Sequence, residues 1–409
     1  MSVETPTSVP PFHCQVLVIG AGPAGCAAAR VLAAAGQQVL LVEQHALGRD
    51  KTCGDGLIPD AHHALMRLGL HGQVMARAQR APHVACVGPR GGRLEVPGEL
   101  AVLPRRELDE MLARHAIEAG ATCWEHTRFE RPLEDGEGRV CGAVLQRGGQ
   151  TVHVHADWVI LATGAVPKAL MAAGMCERHT PSGVGLRGYV HAPGLTGQIR
   201  GLEVVWADAV RPGYGWIFPA PDGHFNIGVG VSDSHAIEGG KGRKKAVNLR
   251  AIFDAFCEHH PAAAQLMKEG TLVGELKGAP LRWTLEGARW SRPGLLVAGE
   301  AVGSTYSFTG EGIGKAMETG ILAAESVLGE ATDAAVRERY EAGLSALKPK
   351  YALYEKANRI NAYPWVVDLV IWRARRSQGL VRRLAGILDE SRLPDHLFSW
   401  RGIKRIILG

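Results

Sequence analysis

Gly20, Gly22 and Gly25 stand in G-x-G-x-x-G spacing, and an acid, Glu43, closes the next apolar run. Residues of these types at this spacing grip the pyrophosphate and ribose of a dinucleotide. Gly20 permits a tight turn, Gly22 lets the backbone approach the phosphates, and Gly25 lets a helix pack against a strand. The run CQVLVI precedes the glycines, the Ala-rich CAAARVLAAAG follows them, and QVLLVE ends on Glu43. These read as strand, helix and strand, so the helix aims its free N–H groups and positive dipole end at the phosphates. Glu43 can accept both hydrogen bonds of an adenosine ribose diol and repels a 2′-phosphate, which leaves NAD or FAD. Ala24 and Gln44 are candidate contacts beside them.

A second corner of the same kind lies far downstream. DWVILATG reads as a strand ending in Thr163-Gly164, and GLLVAG as a buried strand running into Glu300. A glycine-rich loop and a helix follow, with Gly310, Gly312 and Gly314 at the opening and Ile313 among them. A second helix N-terminus aimed at the same ligand fits a long cofactor with a ribityl chain and a flavin ring. The expected cofactor is therefore FAD, with the helix end stabilising negative charge at the N1–C2=O edge of the reduced ring.

Tyr214, Trp216 and Phe218 alternate along what reads as a strand, so all three point to one face. That face is a candidate substrate wall above the flavin; the alternative is an ordinary sheet core. Four patches together carry a resemblance: the glycine fingerprint; KTCGDGL at 51–57; Tyr214-Gly215-Trp216-Ile217-Phe218-Pro219 with Gly228-Val229-Gly230 behind it; and FTGEGIGKAMETG at 308–320. From about residue 13 to about 330 the chain resembles the FAD-dependent geranylgeranyl reductase family, within the larger group related to aromatic hydroxylases and flavin-dependent halogenases. The resemblance implies saturation of isolated isoprenoid double bonds, with a hydride from reduced flavin and a proton added to the neighbouring carbon. It puts Cys53 and Gly54 beside the isoalloxazine ring and makes Arg105 an FAD contact. Asp55 is then either an aid to protonation or a hydrogen-bonding turn residue. The chain departs from the wider group in three places. Gly299-Glu300 replaces Gly-Asp, Thr163-Gly164 replaces the hydroxylase Asp-Gly pair, and Tyr214 and Phe218 replace the Trp and Ile of the halogenase motif.

The elements that must position these residues give an α/β architecture. A Rossmann-like FAD-binding domain is expected over 12–185 and 288–330, an antiparallel β-sheet substrate domain over 186–287, and a helical C-terminal region over 331–409. At 46% hydrophobic and 21% charged residues, the composition excludes disorder, collagen and coiled coil. The mild net charge of +5 is concentrated at the end, where residues 371–409 hold nine basic and three acidic side chains. No groove-reading motif accompanies them, so nucleic acid is not an expected partner. Next to the apolar run from Trp365 to Trp372, they read either as a peripheral contact with an anionic membrane or as a solvated helix face. Eight scattered cysteines without C-x-x-C or zinc spacing, and an N-terminus without signal-peptide form, point to a cytoplasmic protein with no metal site. No second nucleotide fold is visible, so NAD(P)H, ferredoxin or quinol is the expected electron donor. The leading reading is reduction of C=C bonds in a lipophilic substrate. Its rivals are a flavin monooxygenase acting on an aromatic or amino-acid-derived substrate, and a non-catalytic flavin-bound assembly protein.

Overall fold

The computed structural model describes residues 12–232, 237–238, 243–244 and 247–392. Strand Phe12–Ile19 is central in a first sheet, pairing in parallel with Val39–Val42 on one side and Gln150–Leu161 on the other. Its last four residues are buried, as a strand covered on both faces requires. Leu295–Val297 joins the far side of Gln150–Leu161 in parallel, so a segment distant in sequence completes the sheet. Helix Pro23–Ala34 leaves the Gly20 turn with Pro23 in its first turn, where a missing N–H costs nothing. Helix Ile313–Gly329 packs beside it, and Gly320 approaches the Ala24 backbone so closely that an added Cβ would lie 2.1 Å from the Ala24 oxygen.

The second sheet runs in the order Thr271–Leu281, Gly183–His191, His224–Ser232, Gly213–Pro219, Leu202–Val205, Gln79–Val87, Arg93–Val102, Gly56–Leu57. The expected boundary at 186–287 is therefore too narrow. Three strands come from residues 56–102, inside the stretch assigned to the FAD-binding domain. The reason is visible in QRAPHVACV and RLEVPGELAV, where buried and exposed positions alternate with the period of a half-covered strand. Those strands pair with each other, and the first joins Leu202–Val205 in parallel.

Helices Asp333–Ala362, Trp365–Ala374 and Gln378–Leu388 follow, the first and third opened by the Thr332 and Ser377 side-chain caps. Ile360, Val367 and Ile371 pack with Leu94, Val96 and Trp206 into a separate apolar cluster. The last part of the basic tail, residues 393–409, lies outside the described residues. Among the described residues no helix is long and apolar enough to cross a membrane. None of the eight cysteines forms a disulfide.

Candidate active site

A cavity of about 910 Å³ is walled by both sheets and by the C-terminal helices. That is at the upper end of the roughly 300–1,000 Å³ typical of small-molecule sites. Gly20, Gly22, Ala24, Glu43, Gln44, Gly54, Arg105, Thr163, Gly164, Glu300, Gly310, Gly312 and Ile313 all line it. Gly25 does not; an added Cβ there would lie 1.8 Å from the Gly20 oxygen, so it serves helix packing. Gly20 has φ +105°, a conformation that side chains rarely adopt. Gly22 is different again: a Cβ there would meet nothing nearer than Arg105 Nη2 at 3.9 Å, and it faces the cavity.

The two helix N-termini at Gly22 and Gly312 open on this cavity, and neither carries a side-chain cap. Their first-turn amides are available to an anion or a carbonyl. Glu43 is 8% exposed, and its carboxylate is fixed by the Ala21 and His45 amides at 3.0 and 3.1 Å. The Arg105 guanidinium is buried and bound bidentately by Asp109 at 2.7 Å in both contacts. Thr163 Oγ1 is buried without a hydrogen-bond partner in the cavity wall. Two uncapped helix ends, a fixed acid and an orphaned hydroxyl in one cavity fit an FAD. Its pyrophosphate suits the Gly22 helix and its ribose suits Glu43.

The aromatic strand Gly213–Pro219 divides its side chains as a pleat must. Tyr214, Trp216 and Phe218 line the cavity, while Ile217 enters the core around Phe253 and Phe256 on the other face. Ring centroids along the ledge are 6.3 and 6.4 Å apart. The indole of Trp216 lies across the missing side chains of Gly228 and Gly230, where an added Cβ would sit 2.3 and 3.7 Å from it. This explains Gly228, whereas the contact at Gly230 would be an ordinary one. The Tyr214 hydroxyl donates to the Thr309 oxygen at 2.6 Å, which fixes the ring against the second glycine loop.

The loop holding Cys53 is tied to this ledge through Asn226. The buried Asn226 amide donates to the Cys53 oxygen at 2.7 Å and to Asp55 at 2.8 Å, and its oxygen accepts from the Trp216 indole at 2.9 Å. Gly54 touches Phe218, with 3.1 Å between the ring and a Cβ position. Cys53 lines the cavity, and burial pushes its thiol up, so it is neutral at ordinary pH. Asp55, with φ +63°, is fully buried; its oxygens accept from Tyr189, Asn226 and the Arg105 amide. Burial pushes its pKa up to about 6, against those hydrogen bonds, which favour the ionised form.

Several residues of this site escape a reading of the sequence. Arg187, 1% exposed, donates to Asp50 and to the Lys51 oxygen at 2.9 Å, and lies 4.3 Å from the Tyr189 ring centroid. Lys277 holds the other Asp50 oxygen at 2.9 Å. The signal for Arg187 and Asn226 is a polar residue inside an apolar strand, GVGLRGYVH and HFNIGVGVS. Away from the cavity, His260 meets buried Glu203 at 2.6 Å and stacks on Phe256.

Residues 13–192 match the FAD binding domain family, and the cofactor is FAD. The chain is 32% identical over 363 residues to the menaquinone reductase of Mycolicibacterium smegmatis, covering 82% of this chain and 83% of that protein. It is 31% identical over 335 residues to digeranylgeranylglycerophospholipid reductase 2 of Methanopyrus kandleri, covering 80% and 81%. The crystal structure of a geranylgeranyl bacteriochlorophyll reductase-like protein from Thermoplasma acidophilum has the same fold (TM-score 0.66, 23% identity, 97% and 96% covered). With these reductases matched at over 30% identity across four fifths of the chain, the chain belongs to the geranylgeranyl reductase family of FAD-dependent oxidoreductases.

Proposed function

We propose that the enzyme saturates a carbon–carbon double bond in the isoprenoid tail of a lipid. The observation that carries this reading is the cavity wall built by strands 79–102 and the C-terminal helices. Val84, Leu94, Val96, Ile360, Val367, Ile371 and Leu384 line it, and among the described residues of those elements no charged side chain does. An isolated alkene offers no charge to recognise, so affinity must come from apolar burial. At ~0.8 kcal/mol per buried carbon, each five-carbon unit contributes roughly 4 kcal/mol.

Glu43, Arg105, Thr163 and the two helix ends would hold FAD, which, once reduced, would supply the hydride. The chain's own residues orient and shield. Tyr214, Trp216 and Phe218 form an aromatic wall of mutually tilted rings, with Tyr214 held by Thr309 and Trp216 by Asn226. Cys53 is a small neutral group beside it, and Asp55 anchors the Cys53 turn through its three donors. The C-terminal helices exclude water from the tail. Trp365 and Trp372 are 58% and 47% exposed on the helix whose Val367 and Ile371 line the cavity. Arg376, stacked over Trp372, is exposed, as are Arg375 and, on the next helix, Arg382 and Arg383. The cover of the tail site is thus also a surface suited to an anionic membrane, where such a lipid resides.

The test uses FAD-loaded enzyme reduced with dithionite without oxygen, so it is independent of the physiological donor. A polyprenyl lipid should reoxidise the flavin, and the same lipid with a saturated tail should not. Reoxidation only on admission of oxygen would exclude the reductase reading and favour a monooxygenase.

A further inference from the structure

Saturating a double bond takes a proton as well as a hydride, and the aromatic ledge is poorly equipped to give one. The Tyr214 hydroxyl is engaged by Thr309, and Asp55 by three donors. We propose that Glu311 delivers the proton to the alkene carbon next to the one receiving the hydride, and that a buried cluster of Asp60, Lys315 and Glu390 returns a proton to it. This rests on the double-bond reading above.

Glu311 lines the cavity on the segment that meets the ledge. Two residues earlier, Thr309 binds the Tyr214 hydroxyl, and a Cβ at Gly310 would lie 2.4 Å from the same oxygen. On the other side, the first turn of helix Ile313–Gly329 presses on Asp60, whose Cγ is 2.4 Å from a Cβ position at Gly314. Asp60 is 5% exposed, and neither oxygen has a hydrogen-bond partner of good geometry, an unusual state for a buried carboxyl. Lys315 Nζ stands 4.0 Å from it and reaches Glu318 at 2.8 Å and Glu390 at 3.2 Å. Lys350 holds Glu390 at 2.7 Å, and the Glu318 side chain, 36% exposed, reaches solvent. The cluster therefore leads from water to the cavity wall.

The charge count makes it a proton store. Four carboxyls (Asp60, Glu311, Glu318, Glu390) share two lysines (Lys315, Lys350), so full ionisation would leave two negative charges uncompensated in a largely buried place. The groups facing Glu311 are Asp60 from helix Pro59–Leu68, Glu390 just past helix Gln378–Leu388, Lys315 from helix Ile313–Gly329, which Glu311 precedes, Tyr354 from the long helix and Tyr214 from the ledge. Burial first, then the Asp60 and Glu390 charges, push Glu311 up and keep it protonated near neutrality. Burial also pushes Asp60 up, against the pull of Lys315. In the step itself the C=C π bond breaks and two C–H bonds form. One carbon takes the hydride, oxidising the reduced flavin; the other takes the Glu311 proton, leaving a carboxylate that the cluster reprotonates from water.

The experiment follows a single anaerobic turnover of reduced, FAD-loaded enzyme with a polyprenyl lipid. Glu311→Gln should retain the flavin spectrum and slow reoxidation at least about 100-fold, the low end for general acid catalysis. Glu311→Asp should recover part of the rate. The wild-type rate should fall as alkaline pH ionises Glu311 and should carry a solvent isotope effect, and both signatures should vanish in Glu311→Gln. Asp60→Asn should slow steady-state turnover more than the first turnover. A Glu311→Gln enzyme with the wild-type rate and pH profile overturns the proposal and leaves the double-bond reading intact. A wild-type enzyme that leaves the lipid unreduced overturns both. Independently of any variant, carbon NMR of side-chain-labelled glutamates should show a carboxyl still protonated at neutral pH; finding all of them ionised overturns the proposal.

Discussion

Replacing Gly22 with Val separates cofactor approach from folding. A Cβ there meets no atom nearer than 3.9 Å, and its φ of −83° suits any residue, so the protein should fold normally. The new side chain then stands where phosphate must approach the helix amides. Losing two charge-assisted hydrogen bonds at about 1.5–3 kcal/mol each weakens FAD binding by about 3–6 kcal/mol, or about 10²–10⁴-fold. Gly25→Ala is the contrast. Its Cβ would lie 1.8 Å from the Gly20 oxygen, so the damage should fall on folding. Fluorescence titration of deflavinated protein with FAD gives the affinity, and circular dichroism melts give the stability. A Gly22→Val protein that melts like wild type and binds FAD with unchanged Kd would refute the placement of the pyrophosphate at this helix.

Other perturbations address the ledge, the loop and the tail. Cys53→Ala should keep FAD bound and slow anaerobic flavin reoxidation by lipid; loss of FAD in a titration would make the thiol purely structural. Arg187→Ala removes the clamp on Asp50 and Lys51 and should lower unfolding free energy by about 1–3 kcal/mol, read by urea denaturation. Asp55 has a pKa pushed up from 3.8 to about 6, so the stability of its neutral form is present below pH 3.8 and lost as pH rises through about 6. Asp55→Asn cannot ionise, so the wild-type advantage over it should shrink by roughly 3 kcal/mol across that window. A pH-independent difference in urea denaturation would contradict the shift. Trp365→Ala with Trp372→Ala should reduce sedimentation with anionic vesicles while leaving the spectrum of bound FAD unchanged.

What the sequence made legible was local. The Gly20–Gly25 turn, the Ile313 helix start and the Tyr214–Phe218 alternation each advertise their geometry through neighbouring residues. What it hid was pairing over long distances. Strands 79–102 alternate plainly, yet nothing nearby says that they join Leu202–Val205 instead of the first sheet. Asn226 and Arg187 gain their meaning from Cys53 and Asp50, more than 130 residues away. Asp60 illustrates the same limit: its sequence neighbours describe a helix start, and only the fold brings it against Gly314.

The mass of the lipid after anaerobic turnover by dithionite-reduced enzyme tests the central claim most directly. The account predicts a product with two more hydrogen atoms and the saturated bond within the isoprenoid tail. A product formed only with oxygen present, and carrying an added oxygen atom, would contradict it.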